Sequence, residues 1–366
     1  MSWKVLFISD ISISPATTLA ERMLIRGLFD RGVDITVVTH FATPESRELE
    51  AAGIVVHYIP ISKKISKEAV AAIRNILVEG SFDLLHLTFG KAVTNALRAS
   101  RGMDIKVVAY FGSLSIHWHD PFAYLGFLNK RIDKLICLSD SVEEHVKRQL
   151  PRSRRDRTVR IYRGFDPNWL SSLKPVSRES LGIPVDAFVV GCVAIVRRVK
   201  GVPYLIKASG LLPDNLPVWF LLVGDDTDSA AIKRQVARSK YSPRFVLTGK
   251  VPVAPAYTAI CDMYVQPSIT EGLGRAVLEA MSLKKTVVVT DGGGAKELFT
   301  GGDNGFVVPA KSAQAIADSI LWCYNNQNRL PEIGEKARER LINDFRPETT
   351  VEKTMDVYHD LIPGRR

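Results

Sequence analysis

Short Val/Ile/Leu-rich runs alternate with longer stretches of helical period, and the alternation occurs twice along the chain. That pattern is the signature of a parallel sheet covered by helices on both faces. In the first half the strand-like runs are Lys4 to Ser9, Asp34 to Thr39, Ile54 to Ile59, Asp83 to Leu87, Lys106 to Phe111, Lys134 to Leu138 and Thr158 to Tyr162. Between them, Thr17 to Phe29 places Leu19, Met23, Leu24 and Leu28 on one helical face, and Ser66 to Val78 does the same with Val70, Ile73 and Leu77. From Asp166 to Pro184 the text turns Pro/Ser-rich with scattered charges, which marks a domain boundary. The alternation restarts at Ala187 to Ile195 and continues through Val218 to Val223, Arg244 to Leu247, Met263 to Gln266, Lys285 to Thr290 and Gly305 to Val308. Helical stretches in this half include Asp228 to Arg238, Arg275 to Ser282, Ala313 to Asn325, Glu332 to Asn343 and Glu348 to Leu361. The expected fold class is α/β, with two tandem doubly wound Rossmann-like domains. In an open parallel sheet ligands bind outside the carboxyl ends of the strands, so chemistry is expected in the loops that follow strands, facing an interdomain cleft.

At 366 residues, with 46% hydrophobic and 24% charged residues, the chain has material for two real cores. Its apolar runs, such as Phe188 to Val196, fall well short of the roughly 20 residues needed to cross a bilayer. Met1 to Asp10 meets an acidic residue before any signal-peptide core could form, so it is expected to be a strand of a cytoplasmic protein. Cys137, Cys192, Cys261 and Cys323 form no CxxC pair and are expected to be buried free thiols. The net charge of +10 comes mainly from the first half, and much of it from Lys147, Arg148, Arg152, Arg154, Arg155, Arg157, Arg160 and Arg163. A solvated face is one reading of that run, and peripheral contact with an anionic membrane is the other. Nucleic acid is disfavoured, because the run lacks interleaved aromatics and no recognition module is visible.

The most informative segment is Glu271-Gly-Leu-Gly-Arg-Ala-Val-Leu-Glu279-Ala-Met281, followed by a strand and then Asp291-Gly-Gly-Gly-Ala-Lys-Glu297. Gly272 and Gly274 leave the backbone bare where a helix begins, so free N–H groups and the helix dipole can face an anion such as a phosphate. Glu271 precedes that helix and Glu279 lies about two turns into it. The two carboxylates therefore cannot share one ligand atom, but they can grip different hydroxyl-bearing parts of an extended ligand. Gly292 to Gly294 offers a second set of approachable backbone amides.

Taken together, Glu271 and Glu279 with seven residues between, the Leu-Glu-Ala-Met string, and Gly293, Gly294 and Glu297 resemble the donor-site signature of retaining GT-B glycosyltransferases of family four, the group 1 glycosyltransferases. Val193-Ala-Ile-Val-Arg-Arg-Val-Lys200-Gly201 resembles that family's loop after the first strand of the second domain. Ile161 to Asp166 resembles its hinge, and Ala259 to Ser268 its approach to the first Glu. The resemblance implies an acceptor domain over residues 1–165, a nucleotide-sugar domain over 166–346, and a last helix, 347–366, returning to the first domain. It implies a nucleoside-diphosphate sugar as donor, UDP-sugar favoured over GDP-sugar, with no cofactor or metal required. Glu279 would bind the ribose, Glu271 the transferred sugar, and Gly293 and Gly294 the diphosphate or sugar. Lys200, with Arg197 as second cation, would stabilise the departing diphosphate. The acceptor would be a glycan or a lipid-linked glycan of bacterial cell-surface polysaccharide or lipopolysaccharide assembly, placing the protein in the cytoplasm, peripheral at the inner face of the plasma membrane.

The chain departs from the family pattern in three places. The arginine usual five residues before the lysine is here Ile195, so its role passes to Arg197 or Arg198, or is absent. The usual His-Gly is here Phe111-Gly112, with His117 and His119 following; Gly112 is carried as a donor-site position and His119 as a catalytic or acceptor contact, with Asp120 read as a helix cap before Pro121. The first loop, Asp10 to Thr18, has no glycine, and its Ser and Thr residues address the acceptor or cap the helix. Asp226-Thr-Asp228 reads as helix capping rather than as a metal motif. No GxGxxG follows the first strand and no GxSxG elbow is present, which excludes NAD-dependent and α/β-hydrolase readings. A catalytically degenerate nucleotide-sugar binder and a sugar-nucleotide epimerase of the same fold remain as alternatives.

Overall fold

In the computed structural model, which describes residues 3–13 and 15–364 with the side chains at 15 and 16 excepted, Lys4–Ile8 (β1) runs through the middle of the first sheet. Val5, Leu6, Phe7 and Ile8 are all fully buried, as an interior parallel strand with helices on both faces requires. Around β1 stand Asp34–Thr39 (β2), Val55–Tyr58 (β3), Leu84–Leu87 (β4), Lys106–Phe111 (β5), Lys134–Cys137 (β6) and Thr158–Arg160 (β7). All pair in parallel, in the order β3-β2-β1-β4-β5-β6-β7. One face carries Leu6, Ile8, Leu85 and Leu87 against helices Lys67–Gly80 (α3), Gly90–Ala99 (α4) and Asp140–Gln149 (α5). The other carries Val5, Phe7 and Leu84 against Pro15–Phe29 (α1), Pro44–Ala51 (α2) and the C-terminal helix Pro347–Leu361.

The C-terminal helix belongs to this first unit, Met1–Gly164 with Phe345–Arg366. Its Tyr358 hydroxyl lies 2.6 Å from Nδ1 of His86 on β4. Thr350 Oγ1 accepts from Gly164 N and donates to Tyr162 O, each at 2.9 Å. Burial pushes His86 down to about 3, so it stays neutral in the folded chain. A small cavity beside these residues is lined by His86, Tyr110, Glu21 and Arg163, and Arg163 bonds Glu21 at 3.0 Å.

The second unit, Phe165–Asp344, repeats the plan with Phe188–Val193 (β8), Val218–Val223 (β9), Phe245–Leu247 (β10), Met263–Gln266 (β11), Thr286–Thr290 (β12) and Phe306–Val308 (β13). The parallel order is β10-β9-β8-β11-β12-β13. Its helices are Val202–Ser209 (α6), Ala230–Val236 (α7), Ala254–Thr258 (α8), Arg275–Ser282 (α9), Ala313–Asn325 (α10) and Leu330–Asp344 (α11). Phe188, Val190 and Cys192 turn to a core shared with α6, α7 and α10, while Val189, Leu221 and Val223 turn to the opposite face.

One expectation from sequence is revised. Helix α7 is shorter than Asp228 to Arg238, and neither Asp226 nor Asp228 caps it: Ser229 is the cap residue and makes no side-chain cap bond, while Asp226 sits at φ +64. In the first loop Ser12 Oγ donates to Asp10 Oδ1 at 2.6 Å, and Ser14, beside the start of α1, lies outside the described residues. The basic run is largely committed within the first unit. Arg154 donates to Leu128 O at 3.0 Å and Arg157 to Lys130 O and Ile132 O at 3.0 and 3.1 Å, while Lys147, Arg148 and Arg160 pair with Glu143, Glu144 and Asp140. All four cysteines are buried free thiols. Among the described residues, no helix is long and apolar enough to cross a membrane.

Candidate active site

In the second sheet the chain leaves β8 for β9 on one side and later returns to β11 on the other. The carboxyl ends of β8 and β11 thus flank a topological switch point, where open α/β sheets bind ligands. Three loops meet there: residues 194–201 after β8, 267–274 after β11 and 291–294 after β12. Their backbones are sewn together. Val199 O accepts from Ile269 N at 2.7 Å and from Thr270 N at 3.2 Å. Glu271 O accepts from Gly294 N at 2.9 Å, Gly292 O accepts from Glu271 N at 3.3 Å, and Glu271 and Gly293 form a parallel bridge.

Two glycines make this closeness possible. At Gly201 (φ +65) a Cβ would lie 1.8 Å from Pro267 O, and at Gly293 (φ +155) it would lie 2.1 Å from Glu271 O. Both distances are far inside van der Waals contact, and both backbone conformations are ones that side-chain-bearing residues avoid.

Lys200 closes a short 3₁₀ turn, Arg198–Lys200, and its Nζ donates to Glu271 Oε2 at 2.7 Å. The same oxygen accepts from Ser268 Oγ at 3.0 Å. A buried chain continues inward, with Gln266 Nε2 donating to Ser268 Oγ at 2.9 Å and Tyr264 OH donating to Gln266 Oε1 at 2.7 Å. Tyr264 and Gln266 are essentially without solvent contact, so Glu271 is held by a network anchored in the core. The sequence reading missed Tyr264 and Gln266. Their signal is alternation: polar-tipped residues at every second position of an otherwise apolar strand point to one face.

Gly274 (φ +90) starts α9 without a side-chain cap, and Gly272 is buried beside it. Gly294 opens a 3₁₀ turn, Gly294–Leu298, that likewise lacks a side-chain cap. The first-turn N–H groups of α9 suit an anionic group, whereas Gly294 N is already given to Glu271 O and Gly293 N to Asp291 O, both at 2.9 Å. Glu279, on the second turn of α9, is 5% exposed and bonds Arg275 at 2.7 Å. Burial raises its pKa, and the Arg275 charge opposes the rise. Arg197 precedes the 3₁₀ turn as its cap residue; its side chain is exposed and makes no ion pair among the described residues, and Ile195 is half exposed.

The remaining sequence-derived residues belong to the first unit. Gly112 follows β5, and the buried Phe111 packs on Phe127 with ring centres 4.7 Å apart. His119 is exposed and stacks on His117 at 5.3 Å, and His117 meets the edge of His145 at 5.5 Å. His145 Nε2 donates to Ile116 O at 2.7 Å; burial lowers its pKa and that bond opposes the shift. Asp120 accepts from Phe122 N at 2.9 Å and so caps the turn Pro121–Leu125, as expected. Among the described residues no three His, Cys, Asp or Glu side chains converge as a metal site.

Residues 174–340 match the family described as Glycosyl transferases group 1, and residues 22–169 match Glycosyltransferase Family 4. An uncharacterized glycosyltransferase of Methanocaldococcus jannaschii is 25% identical over 355 residues, covering 94% of both chains. The lipopolysaccharide core biosynthesis mannosyltransferase LpcC of Rhizobium leguminosarum is 28% identical over 286 residues, covering 75% of this chain and 77% of the relative. Among solved structures, a Rickettsia africae glycosyltransferase superposes with a TM-score of 0.82 at 20% identity over 99% of both chains. Anabaena HepE in complex with UDP-glucose superposes at 0.79 and 23% identity, over 98% of this chain and 99% of that one. Two Rossmann-like units, the loops at the second switch point and two family matches that together span most of the sequence agree: the chain belongs to the group 1, family 4 glycosyltransferases and has the α/β GT-B fold.

Proposed function

We propose that the protein transfers a sugar, with retention of configuration, from a nucleoside-diphosphate sugar to an acceptor hydroxyl. The observation that carries the reading is the Lys200–Glu271 pair, 2.7 Å apart beside the start of α9, which has no side-chain cap, at the switch point of the second unit. Lys200 supplies positive charge where negative charge develops on the leaving diphosphate, and Arg197 adds a second cation. Glu271 accepts from hydroxyls of the transferred sugar, Glu279 from the ribose, the first-turn amides of α9 meet the diphosphate beside Gly272 and Gly274, and Gly293 and Gly294, whose own N–H groups are spent within the loops, line the diphosphate or sugar by leaving room for its close approach. In the transfer the bond from the anomeric carbon to the β-phosphate oxygen breaks, the acceptor oxygen bonds to the anomeric carbon on the same face, and the acceptor proton passes to the departing phosphate oxygen. The first unit takes the acceptor, with His119 on the loop after β5 as its contact, while Gly112 at the end of β5 serves the donor.

UDP-sugar is the favoured donor, supported by the HepE structures containing UDP and UDP-glucose. A setting in cell-surface polysaccharide or lipopolysaccharide assembly, on a glycan or lipid-linked acceptor at the inner face of the plasma membrane, is supported by the lipopolysaccharide core mannosyltransferases among its relatives. The test is thermal unfolding with UDP, GDP and ADP, with and without magnesium, followed by turnover of the matching nucleotide sugars. A ligand at a hundredfold excess over Kd adds about 2.7 kcal/mol, which is readily detected. A magnesium-independent shift with one nucleotide, and turnover only when acceptor is added, supports the reading. Binding without turnover assigns a degenerate binder, and donor conversion without acceptor assigns an epimerase.

A further inference from the structure

Tyr264 and Gln266 are a costly choice for their place. Both lie on β11, an interior strand of the second sheet, where they alternate with the core residues Met263 and Val265 and are 0% and 2% exposed. Buried polar groups lower stability unless they find partners, and apolar side chains of similar size would fill the same space without that requirement. Here the pair is hydrogen-bonded, and its bonds lead out of the core to the carboxylate of Glu271.

The direction of each proton along this chain follows from its outer end. Glu271 Oε2, paired with the Lys200 ammonium at 2.7 Å, is an acceptor only. Ser268 Oγ, 3.0 Å from the same oxygen, must therefore give it the one hydrogen it has. Having given it, Ser268 accepts from Gln266, so the amide turns Nε2 to it at 2.9 Å and its oxygen away. That oxygen faces Tyr264, whose hydroxyl donates to it at 2.7 Å, while the other partners of the hydroxyl, Val193 N and O, lie at 3.4 Å. Tyr264 keeps the proton it donates: burial, reinforced by Cys192 and by the charges of Glu279 and Glu271, holds the phenol well above its ordinary range.

We propose that Gln266, oriented by Tyr264, is a positioning residue for the donor sugar: it commits the Ser268 hydroxyl to Glu271 Oε2 and leaves Oε1, which makes no bond among the described residues, to meet the sugar. This role rests on the proposed placement of Glu271 at the transferred sugar and adds what sets the direction of that carboxylate. Without the amide of Gln266, the Ser268 hydroxyl is free to turn inward and Lys200 is left as the anchor of Glu271. With it, Oε2 keeps a donor when Lys200 turns to the leaving diphosphate, so the carboxylate holds its place while the cation it shared acts elsewhere.

The test compares binding of UDP and of UDP-glucose, or of the nucleotide and sugar form that wild type turns over, in Gln266→Met, Tyr264→Phe, Ser268→Ala and the Gln266→Met/Ser268→Ala pair, with unfolding midpoints measured on each. Gln266→Met keeps the packing and removes the amide. It is expected to weaken the sugar nucleotide about tenfold while UDP binding stays within about twofold, because UDP has no transferred sugar for Glu271 to meet. Tyr264→Phe, which deletes one hydroxyl, is expected to weaken the sugar nucleotide about threefold, again sparing UDP, and carries the same comparison if Gln266→Met does not fold. A merely structural role would weaken both ligands together. In the paired variant the loss should match that of Ser268→Ala alone, since both changes act on one bond. Wild-type affinity for the sugar nucleotide in Gln266→Met, equal loss of both ligands, or losses that multiply in the pair overturn the proposal. Glu271→Ala separates the two levels. If it binds UDP-glucose as wild type does, the placement of Glu271 fails and the positioning falls with it; a loss there with none in Gln266→Met or Tyr264→Phe overturns the positioning alone.

Discussion

Lys200 and Glu271 sit on loops from different strands and meet at 2.7 Å, with both Lys200 and Ser268 bonding the same carboxylate oxygen. A cation held this way faces the site with its direction already fixed, so little reorganisation is needed when a diphosphate arrives. Lys200→Ala is expected to lower turnover by about 10²–10³-fold, the usual loss for one transition-state donor, with an unfolding midpoint close to wild type. Glu271→Gln keeps the shape and loses the charge; it should cost less turnover than Glu271→Ala. Turnover assays and thermal melts on the three variants check the assignment, and full activity in Lys200→Ala would refute it.

The stitched loops make a second prediction. Gly201→Ala and Gly293→Ala force a methyl group to within about 2 Å of a carbonyl oxygen in a backbone conformation costly for alanine. Each should destabilise the second unit by at least about 1–3 kcal/mol and abolish nucleotide-induced stabilisation. Urea unfolding with and without UDP reads both effects.

His86 predicts a pH dependence in the first unit. Its pKa falls to about 3 on folding, so the folded chain resists a proton that the unfolded chain takes up near 6.5. Its contribution is therefore fully present above about pH 6.5 and declines as pH falls toward 3, by up to about 1.4 kcal/mol per pH unit. Compared with wild type, His86→Gln should be less stable near neutrality, and the gap should close on acidification. Urea titrations at several pH values measure it. A gap that stays constant with pH would exclude this role.

Glu279 has the opposite sign. A carboxyl whose pKa is raised by burial stabilises the fold fully below its ordinary value, and that contribution is lost as pH rises through the higher folded value. Just above the ordinary carboxylate range, Glu279→Gln should flatten the fall in stability. If the carboxylate accepts ribose hydroxyls, nucleotide affinity should strengthen over the same window in wild type alone. Ligand-linked melts across acidic pH separate the two effects.

The thiols give a simpler check. All four are buried, and burial pushes Cys192 and Cys261 up to about 12. A thiol reagent at neutral pH should label none of them until denaturant unfolds the chain.

The strands were legible because parallel strands covered on both faces must be apolar throughout, and β8, β9 and β12 announce themselves in that way. The site loops were legible because glycine at a loop-to-helix junction has few other reasons to cluster. Residues whose roles depend on distant partners were harder to read. Asp228 looks like a cap in sequence, but the turn before α7 puts Ser229 at the cap position. Arg154 and Arg157 read as surface charge, yet their targets are carbonyls 25 to 27 residues away, which no local pattern encodes. Tyr264 and Gln266 were partly visible as alternation, and only the position of Ser268 shows where their hydroxyl and amide lead.

The backbone seam joining residues 199, 269, 271, 292 and 294 has an evolutionary consequence. Because main-chain atoms form the seam, side chains along it can be exchanged without dismantling the cradle. Lengthening any one of the three loops would break its register with the other two. Diversification of the donor should therefore proceed by substitution within a frame of fixed length, with insertions accumulating in surface segments elsewhere.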